Sequence, residues 1–413
     1  MKDRRKRFVT LPVEHVEVNH KHVGLRLFFF IFFVAVAIVG IALGVYFLTR
    51  SESGWETVTV RSSAMNNCGG DFGFYYYFEG TSTQNRSAYR AVQDKYTELC
   101  VTAYREFSPY EDFSDVKNVR YINAHPNEEI VVDEVLYKAF EKSAWSRFLY
   151  GAPVWQAYES LCASSDDWTA ELYDGALNAE AAAYYAEVLS FASDPDSVDL
   201  ELLGDNKLIL HVSPTYLAYA QENGVESFVD FAYWKNAFII DALVEGLRAA
   251  GFGAGFLTSY DGYTRTLTDQ HCTFPLFAKI DDSFVHEGVA QLGKNFSSVA
   301  LHSFITRGMD DEMHYLYADG HYAHVYVDPT DAVSKCATDC FIVYSPEKSC
   351  ADLLPYVYPL WIADSFDSSA LSSYSSAGLF YVYTDGPTAH YSDPDLVVTM
   401  IDDGQWTFRS ILD

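Results

Sequence analysis

From Leu27 to Leu48 the chain reads LFFFIFFVAVAIVGIALGVYFL, 22 residues without a charge or a proline. At about 1.5 Å of helical rise per residue, such a run crosses a hydrocarbon core of roughly 30 Å. A cleavable signal peptide has a shorter apolar region, roughly 7 to 15 residues, and ends at a small-residue site. The residues that follow here, Thr49-Arg50-Ser51-Glu52, offer no such site. The run therefore reads as an uncleaved membrane anchor. Lys2, Arg4, Arg5, Lys6, Arg7, Lys21 and Arg26 precede it and only Arg50 follows closely, so the N-terminus is expected in the cytoplasm. The expected organisation is a basic cytoplasmic tail over 1–26, a transmembrane helix over 27–48, a stalk over 49–60 and an extracytoplasmic domain over 61–413. This places the chain at the cell membrane as a single-pass protein.

Eight of the 28 basic and three of the 57 acidic residues lie at or before Arg50, which leaves 20 against 54 and a net charge of −34 beyond it. Binding to phosphate backbones depends on Lys and Arg releasing counterions, so this balance excludes nucleic acid as a partner. It is compatible with divalent cations or basic partners, but its first meaning is simple solubility outside the cell. All seven cysteines (Cys68, Cys100, Cys162, Cys272, Cys336, Cys340 and Cys350) follow the anchor, where disulfides are permitted, and the odd number leaves at least one thiol over. Cys336, Cys340 and Cys350 cluster near His321 and His324 without a standard structural-zinc spacing, so a local disulfide is expected there rather than a metal.

No Pro/Gly/Ser-rich linker or internal period divides residues 61–413. TVTVRSSAM and DFGFYYYFEG read as strands around a Cys-Gly-Gly turn, followed by a helix over about 87–105. A second helix starts at Asp133, with Leu136, Phe140, Ala144 and Phe148 along one face. Residues 196–212 suggest a hairpin turning at Gly204-Asp205-Asn206. Phe238 to Ala250 reads as a helix stopped by Gly251. The last third is strand-rich, in LHSFITRG, EMHYLYADG, HYAHVYVDP, CFIVYS and LFYVYT. Helices and antiparallel strands in blocks, without βαβ alternation, point to an α+β fold: one large mixed domain behind one transmembrane helix.

The order of several segments resembles the FAD:protein FMN transferase (ApbE) family, extracytoplasmic enzymes that use magnesium to move FMN from FAD onto a Ser or Thr of a partner protein. Ser108-Pro109-Tyr110-Glu111-Asp112-Phe113-Ser114-Asp115-Val116 is similar to the family's S-T-Y-D-x-x-S-E-I. The segment from Asp230 to Asp241, DFAYWKNAFIID, lies without gaps on D-L-G-G-I-A-K-G-Y-A-V-D. Asp319-Gly320, His324 and Asp328-Pro329 resemble D-G…H-H-I-I-D-P, and Ala351-Asp352-Leu353-Leu354 resembles A-D-A-L. The resemblance implies the mixed α/antiparallel-β transferase fold over roughly 60–385. It implies cofactor contacts at Tyr110, Ser114, Asp230, Tyr233, His324 and Asp328, catalytic roles for Lys235 and Asp261, and a metal ligand at Asp352, with FAD and magnesium as the groups bound. Magnesium takes hard oxygen ligands and neutralises charge developing on phosphate during pyrophosphate cleavage.

The pattern is broken at positions that carry the chemistry. The Gly-Gly pair becomes Ala232-Tyr233, and the motif Lys aligns with Asn236, although Lys235 is adjacent. The family's N-L-G-G-D becomes Thr258-Ser259-Tyr260-Asp261-Gly262. The His three before Asp328 becomes Val325, the Thr four after Asp352 becomes Tyr356, and G-A-F-D-x-T appears as Gly151-Ala152-Pro153-Val154-Trp155-Gln156. Each retained residue also has a plain structural role: Asp352 as a helix cap, Asp328 as a turn residue, Asp230 and Asp241 as scaffold contacts, Tyr233, Trp234 and Tyr260 as packing. His321 and His324 fall on opposite faces of a strand. No G-x-S-x-G, H-E-x-x-H, Walker or Rossmann motif is present. Three functions follow in order of expectation. The first is a catalytically degenerate family member that binds or assembles another membrane or extracytoplasmic protein. The second is an active magnesium-dependent transferase, and the third is a surface interaction protein unrelated to flavins.

Overall fold

The computed structural model describes residues 23–49, 53–63, 68–268, 272–280, 283–292, 295–305, 312–386, 388–400 and 407–410. They fall into two compact units, 1–52 with 79–86, and 53–78 with 87–413. In the first, Val23–Thr49 forms one helix, α1, of 27 residues. Its side chains are described at 28, 31–34, 36–43 and 45, and among the described residues no helix is long and apolar enough to cross a membrane.

The second unit is built on a nine-stranded sheet. Its order is β1 (Gly54–Thr57), β2 (Phe72–Phe78), β6 (Gly255–Ser259), β7 (Tyr263–Thr266), β10 (Ser297–His302), β13 (Cys340–Ser345), β14 (Phe380–Asp385), β15 (Thr388–Tyr391) and β17 (Thr407–Ser410). All neighbours are antiparallel except β15 and β17. Smaller sheets order β3 (Glu129–Val131), β5 (Lys207–Val212) and β4 (Val198–Gly204), then β16 (Val397–Met400), β9 (Ser283–Leu292) and β8 (Cys272–Ile280), and pair β11 (His314–Leu316) with β12 (Tyr322–His324). The helices are α2 (Ser82–Phe107), α3 (Val119–Ala124), α4 (Glu134–Ser143), α5 (Ala152–Cys162), α6 (Asp167–Glu171), α7 (Ala179–Ser193), α8 (Pro214–Asn223), α9 (Lys235–Ala249) and α10 (Cys350–Trp361).

Alternation drives the sheet. In β2, Phe72, Phe74 and Phe78 face the core while Tyr75 is exposed on the other face. Against the core face lie α9, through Ala237, Ile240, Val244 and Leu247, and α10, through Leu353, Leu354, Val357 and Trp361. Each such apolar side chain contributes roughly 1.5–3 kcal/mol when fully buried.

The α+β expectation holds, and several local expectations hold with it. Asp133 caps α4, its carboxylate accepting from the Val135 amide at 2.9 Å. The hairpin turns at Asp205-Asn206, both with positive φ (48° and 60°), the geometry of a type I′ turn. Gly251 ends α9 at φ 87°. The strand read into TVTVRSSAM instead ends at Thr57, so β1 lies inside the stretch read as a stalk. Ala144 and Phe148 fall beyond α4, and Phe148 joins a short 3-10 turn over Phe148–Gly151. The alanine-rich α7 is capped by Asn178, whose side chain accepts from the Glu180 and Ala181 amides.

Candidate functional site

The site begins at a turn. The Ser108 hydroxyl accepts from the amides of Tyr110 (3.4 Å) and Glu111 (3.1 Å), an ordinary serine turn, and it lifts Tyr110 to 62% exposure. The Tyr110 hydroxyl donates to Glu159 on α5 at 3.0 Å. A cavity of about 140 Å³ opens on one side of Tyr110, lined among others by Asp71, Ser108 and Lys235. A second of about 290 Å³ lies on the other side, with Arg120, Gln156, Tyr184 and Glu226. Ser114 is exposed on the same loop.

Lys235, the first residue of α9, sits in the field of Asp71, Glu159, Asp230 and Asp261. Burial works against its charge, but the four carboxylates outweigh it and raise its pKa above the ordinary value. Burial favours the neutral form of three neighbouring carboxyls, Asp230, Glu159 and Asp261. Asp230, 3% exposed, accepts from the Gln156 amide at 2.8 Å and the Ala232 N–H at 3.1 Å, yet burial holds its pKa up. Burial and then Asp230 raise Glu159. Asp261, 8% exposed, takes hydrogen bonds from Ser259 and from Asn236 (3.0 Å), and burial still pushes it up to about 7. The structure thus gathers Tyr110, Asp230, Lys235 and Asp261 into one cluster. It adds Glu159 and Asp71, which no motif marks. Asn236, in the motif's lysine position, holds Asp261, and the neighbouring Lys235 reaches the cavity.

Tyr233 points away from this cavity. Its ring is 4% exposed and packs against Phe148, Tyr326 and Tyr358 at centroid distances of 5.0, 5.4 and 5.3 Å. The cofactor contact that the resemblance implies for Tyr233 is not supported, and its plain structural role as packing is: the ring is core. What survives of the glycine pair is backbone geometry, since Ala232 keeps a left-handed φ of 46°. Trp234 is buried with it, stacked on Phe148 at 4.0 Å, whereas Tyr260 is 48% exposed.

Asp352 occupies the third position of α10, in a reciprocal capping box with Ser349. Lys142 from α4 approaches its carboxylate at 3.0 Å and also donates to Ser349 at 2.9 Å. Burial opposes ionisation of Asp352, but Ser349 and Lys142 hold its pKa below the usual range. Asp241 completes this corner, accepting from the amides of Cys350 and Ala351, each at 3.0 Å, and pairing with Arg265 at 2.9 Å. Asp352 and Asp261 therefore belong to different hydrogen-bonded sets. Among the described residues the one group of three ligands close enough for a single ion is Asp328, Asp331 and Asp364. Lys335 already lies 2.9, 2.5 and 2.6 Å from these carboxylates. Thr330 also donates to Asp328 through its amide (2.8 Å) and hydroxyl (2.7 Å). At both places an ammonium group stands where a cation would have to bind, so these residues do not fit magnesium. The two cavities beside Tyr110 are also at or below the lower end of the roughly 300–1,000 Å³ of small-molecule sites, small for a dinucleotide.

His324 lies apart from the Lys235 cluster. It is 5% exposed, its Nδ1 against Ser334 Oγ at 2.6 Å and its Nε2 against Cys336 Sγ at 3.0 Å. Burial, then His314, pushes its pKa down to about 3, so the ring is neutral. His321 is exposed and bonded to Asp319 at 2.5 Å, in line with the opposite-face expectation. The expected local disulfide is corrected. Cys336 is a free thiol at His324, Cys350 a free thiol against the carbonyls of Thr264 and Ser298, and Cys340 lies in a second small apolar cluster. Sequence proximity did not bring them together, because Cys340 lies on β13 and Cys350 begins α10.

No protein-family model matches this sequence, and no curated protein matches it. Solved structures do. The flavin transferase ApbE from Vibrio cholerae matches with a TM-score of 0.51 at 11% identity, covering 85% of this chain and 97% of that one. An ApbE protein from Thermotoga maritima gives 0.48 at 13% identity (81% and 94% covered), and the flavinyl transferase ApbE of Pseudomonas stutzeri gives 0.47 at 13% (86% and 95%). The match to the Vibrio cholerae protein carries the conclusion: this chain has the ApbE flavin transferase fold. The order of motifs that suggested it from sequence is accounted for by that fold.

Proposed function

We propose that this chain is a membrane-anchored, extracytoplasmic protein of the flavin transferase fold whose site no longer catalyses transfer, and that it acts as a binding or assembly subunit for another membrane or extracytoplasmic protein. One observation carries the reading. The carboxylates at the family's cation and turn positions, Asp352 and Asp328, are each satisfied by a lysine of the chain itself, Lys142 and Lys335. A magnesium ion would have to displace a hydrogen-bonded ammonium at either place. Val325 and Tyr356, in place of a His and a Thr, support the same reading.

The anchor rests on the 22-residue apolar run and the basic residues before it. Resistance to alkaline carbonate extraction and protease accessibility of residues beyond 53 on sealed vesicles test it. For catalysis, the full-length protein in detergent is incubated with FAD and magnesium. No AMP is expected; AMP release above a no-enzyme control overturns the degenerate reading.

A second reading is favoured by one specific feature. Lys235 keeps its charge at the wall of the 140 Å³ cavity, near Asp261, whose pKa burial pushes up to about 7, as an active magnesium-dependent transfer of FMN from FAD to a Ser or Thr would use. That reading requires Asp352→Ala to abolish flavin transfer that the wild type performs.

A further inference from the structure

Between Arg147 and Lys207 the chain runs 59 residues, 148–206, with 12 Asp and Glu and no Lys, Arg or His. The two cations that bound the stretch are already paired, Arg147 with Asp199 at 3.2 Å and Lys207 with Glu129 at 2.8 Å. Within it, on α6, stands Trp168, at 71% the most exposed large apolar side chain among the described residues. Leu172, 45% exposed, lies four positions on and therefore on the same face. Leu177, 52% exposed, follows the next turn. Asp166 and Glu171 flank Trp168 along the chain and Glu180 opens α7, all three exposed.

The fold holds this apolar knob outward on a fixed support. The Asp166 carboxylate caps α6, accepting from the Thr169 amide at 2.8 Å and its hydroxyl at 2.9 Å. Asp167 accepts from the Tyr315 hydroxyl (2.8 Å) and the Ala318 amide (3.0 Å), which ties α6 to the β11–β12 hairpin. Ala170 is buried beneath, and Asp174 accepts from the Tyr317 hydroxyl at 3.0 Å just beyond. A large ring already held in place loses little freedom when a partner covers it.

We propose that Trp168 and Leu172, within this acidic surround, form a docking surface for a basic segment of a partner protein, one whose Lys and Arg flank an apolar face. Charge selects that occupant. A second copy of this chain would set the same acidic stretch against itself, and anionic lipid and nucleic acid are repelled in the same way. A cationic partner is steered by the whole stretch and seats its apolar face over Trp168, a residue type enriched among interface anchors. That the occupant is a partner subunit rests on the binding reading proposed above. AMP release from FAD would overturn that reading and leave the docking measurement as it is, so the two failures are distinguishable.

The full-length protein in non-ionic detergent is titrated with short fluorescent helical peptides and followed by anisotropy. One peptide carries Leu on one face and Lys on the other, a second has Glu in place of Lys, and a third has Ser in place of Leu. The Leu/Lys peptide is expected to bind, and the other two at least about tenfold more weakly. Trp168→Ser leaves every charge in place and is expected to weaken the Leu/Lys peptide by at least about tenfold, whereas Trp168→Phe keeps most of the affinity. Glu171→Lys is expected to weaken binding at low salt, with the difference closing at high salt. Partition of peptide into micelles is common to all variants and is read from protein-free detergent, and thermal midpoints check that each variant is folded. No binding by wild type, equal affinity of wild type and Trp168→Ser, equal binding of the Lys/Ser peptide, or a Trp168-dependent dimer in sedimentation overturns the proposal.

Discussion

Asp261→Asn is expected to stabilise the protein at pH 8 and to stabilise it by less than half as much at pH 5. In the folded chain the Asp261 carboxyl is 8% exposed and its pKa is pushed up to about 7, against 3.8 for the free side chain. A group with a raised acid pKa binds its proton more tightly in the folded state. Its unfavourable contribution is absent below the unfolded value, grows as pH rises from about 4, and is complete above about 7. Three units at about 1.36 kcal/mol each make that penalty about 4 kcal/mol. Asparagine keeps an oxygen to accept from Ser259 or Asn236 and carries no charge to desolvate. Urea melts of wild type and variant at pH 5 and pH 8 read the difference. General repulsion from a net charge of −29 is common to both proteins apart from the one charge and largely cancels. Equal destabilisation at both pH values refutes the reasoning, because it means that the ionised carboxylate was a favourable partner for Lys235.

Lys335→Ala leaves Asp328, Asp331 and Asp364 facing one another. The variant is expected to melt lower in chelator and to regain much of the loss in millimolar calcium or magnesium, seen by differential scanning fluorimetry, while wild type responds to neither. Ala232→Gly removes a side chain from a left-handed backbone with φ 46°, and a gain of up to about 1 kcal/mol is expected in chemical denaturation, after allowance for the greater freedom of glycine in the unfolded chain. Ser349→Ala removes the hydroxyl half of the α10 capping box and is expected to cost about 1 kcal/mol by the same measurement. Lys142→Ala breaks a pair whose side chains are 38% and 42% exposed, so the direct loss is expected within about 1 kcal/mol.

What the sequence made legible follows from how local each signal is. The Asp133 cap, the Asp205-Asn206 hairpin and the Gly251 stop depend on a few neighbouring residues, and each appears in place. Asp230 and Asp241 read as scaffold contacts because both motif positions are kept while the glycines between them are not, and each accepts from backbone amides: Ala232 for one, Cys350 and Ala351 for the other. Lys235 was marked by the motif next to it. Glu159 and Asp71 were invisible, since each joins the cluster through tertiary placement, one from α5 and one from the turn before β2. The cysteine expectation failed for the same reason. Short sequence separation places residues close only within one element, and Cys336, Cys340 and Cys350 belong to a loop, a strand and a helix.

The two lysines that distinguish the site differ in what they permit. Lys142 sits at the half-exposed edge of α10, where its removal leaves the Ser349 hydroxyl and amide still holding Asp352 as a cap. A cation arriving there must compete with hydrogen bonds that survive the mutation. Lys335 is 16% exposed and is the shared partner of three carboxylates, so its loss uncovers a set of oxygens held only by local donors, Thr330 on Asp328 and the Val333 amide on Asp331. If loss of metal chemistry is what freed this fold for binding, the reversal is therefore easier to provoke at Lys335 than at Lys142. A cation taken up by Lys335→Ala without any release of AMP from FAD separates recovery of an ion from recovery of a reaction.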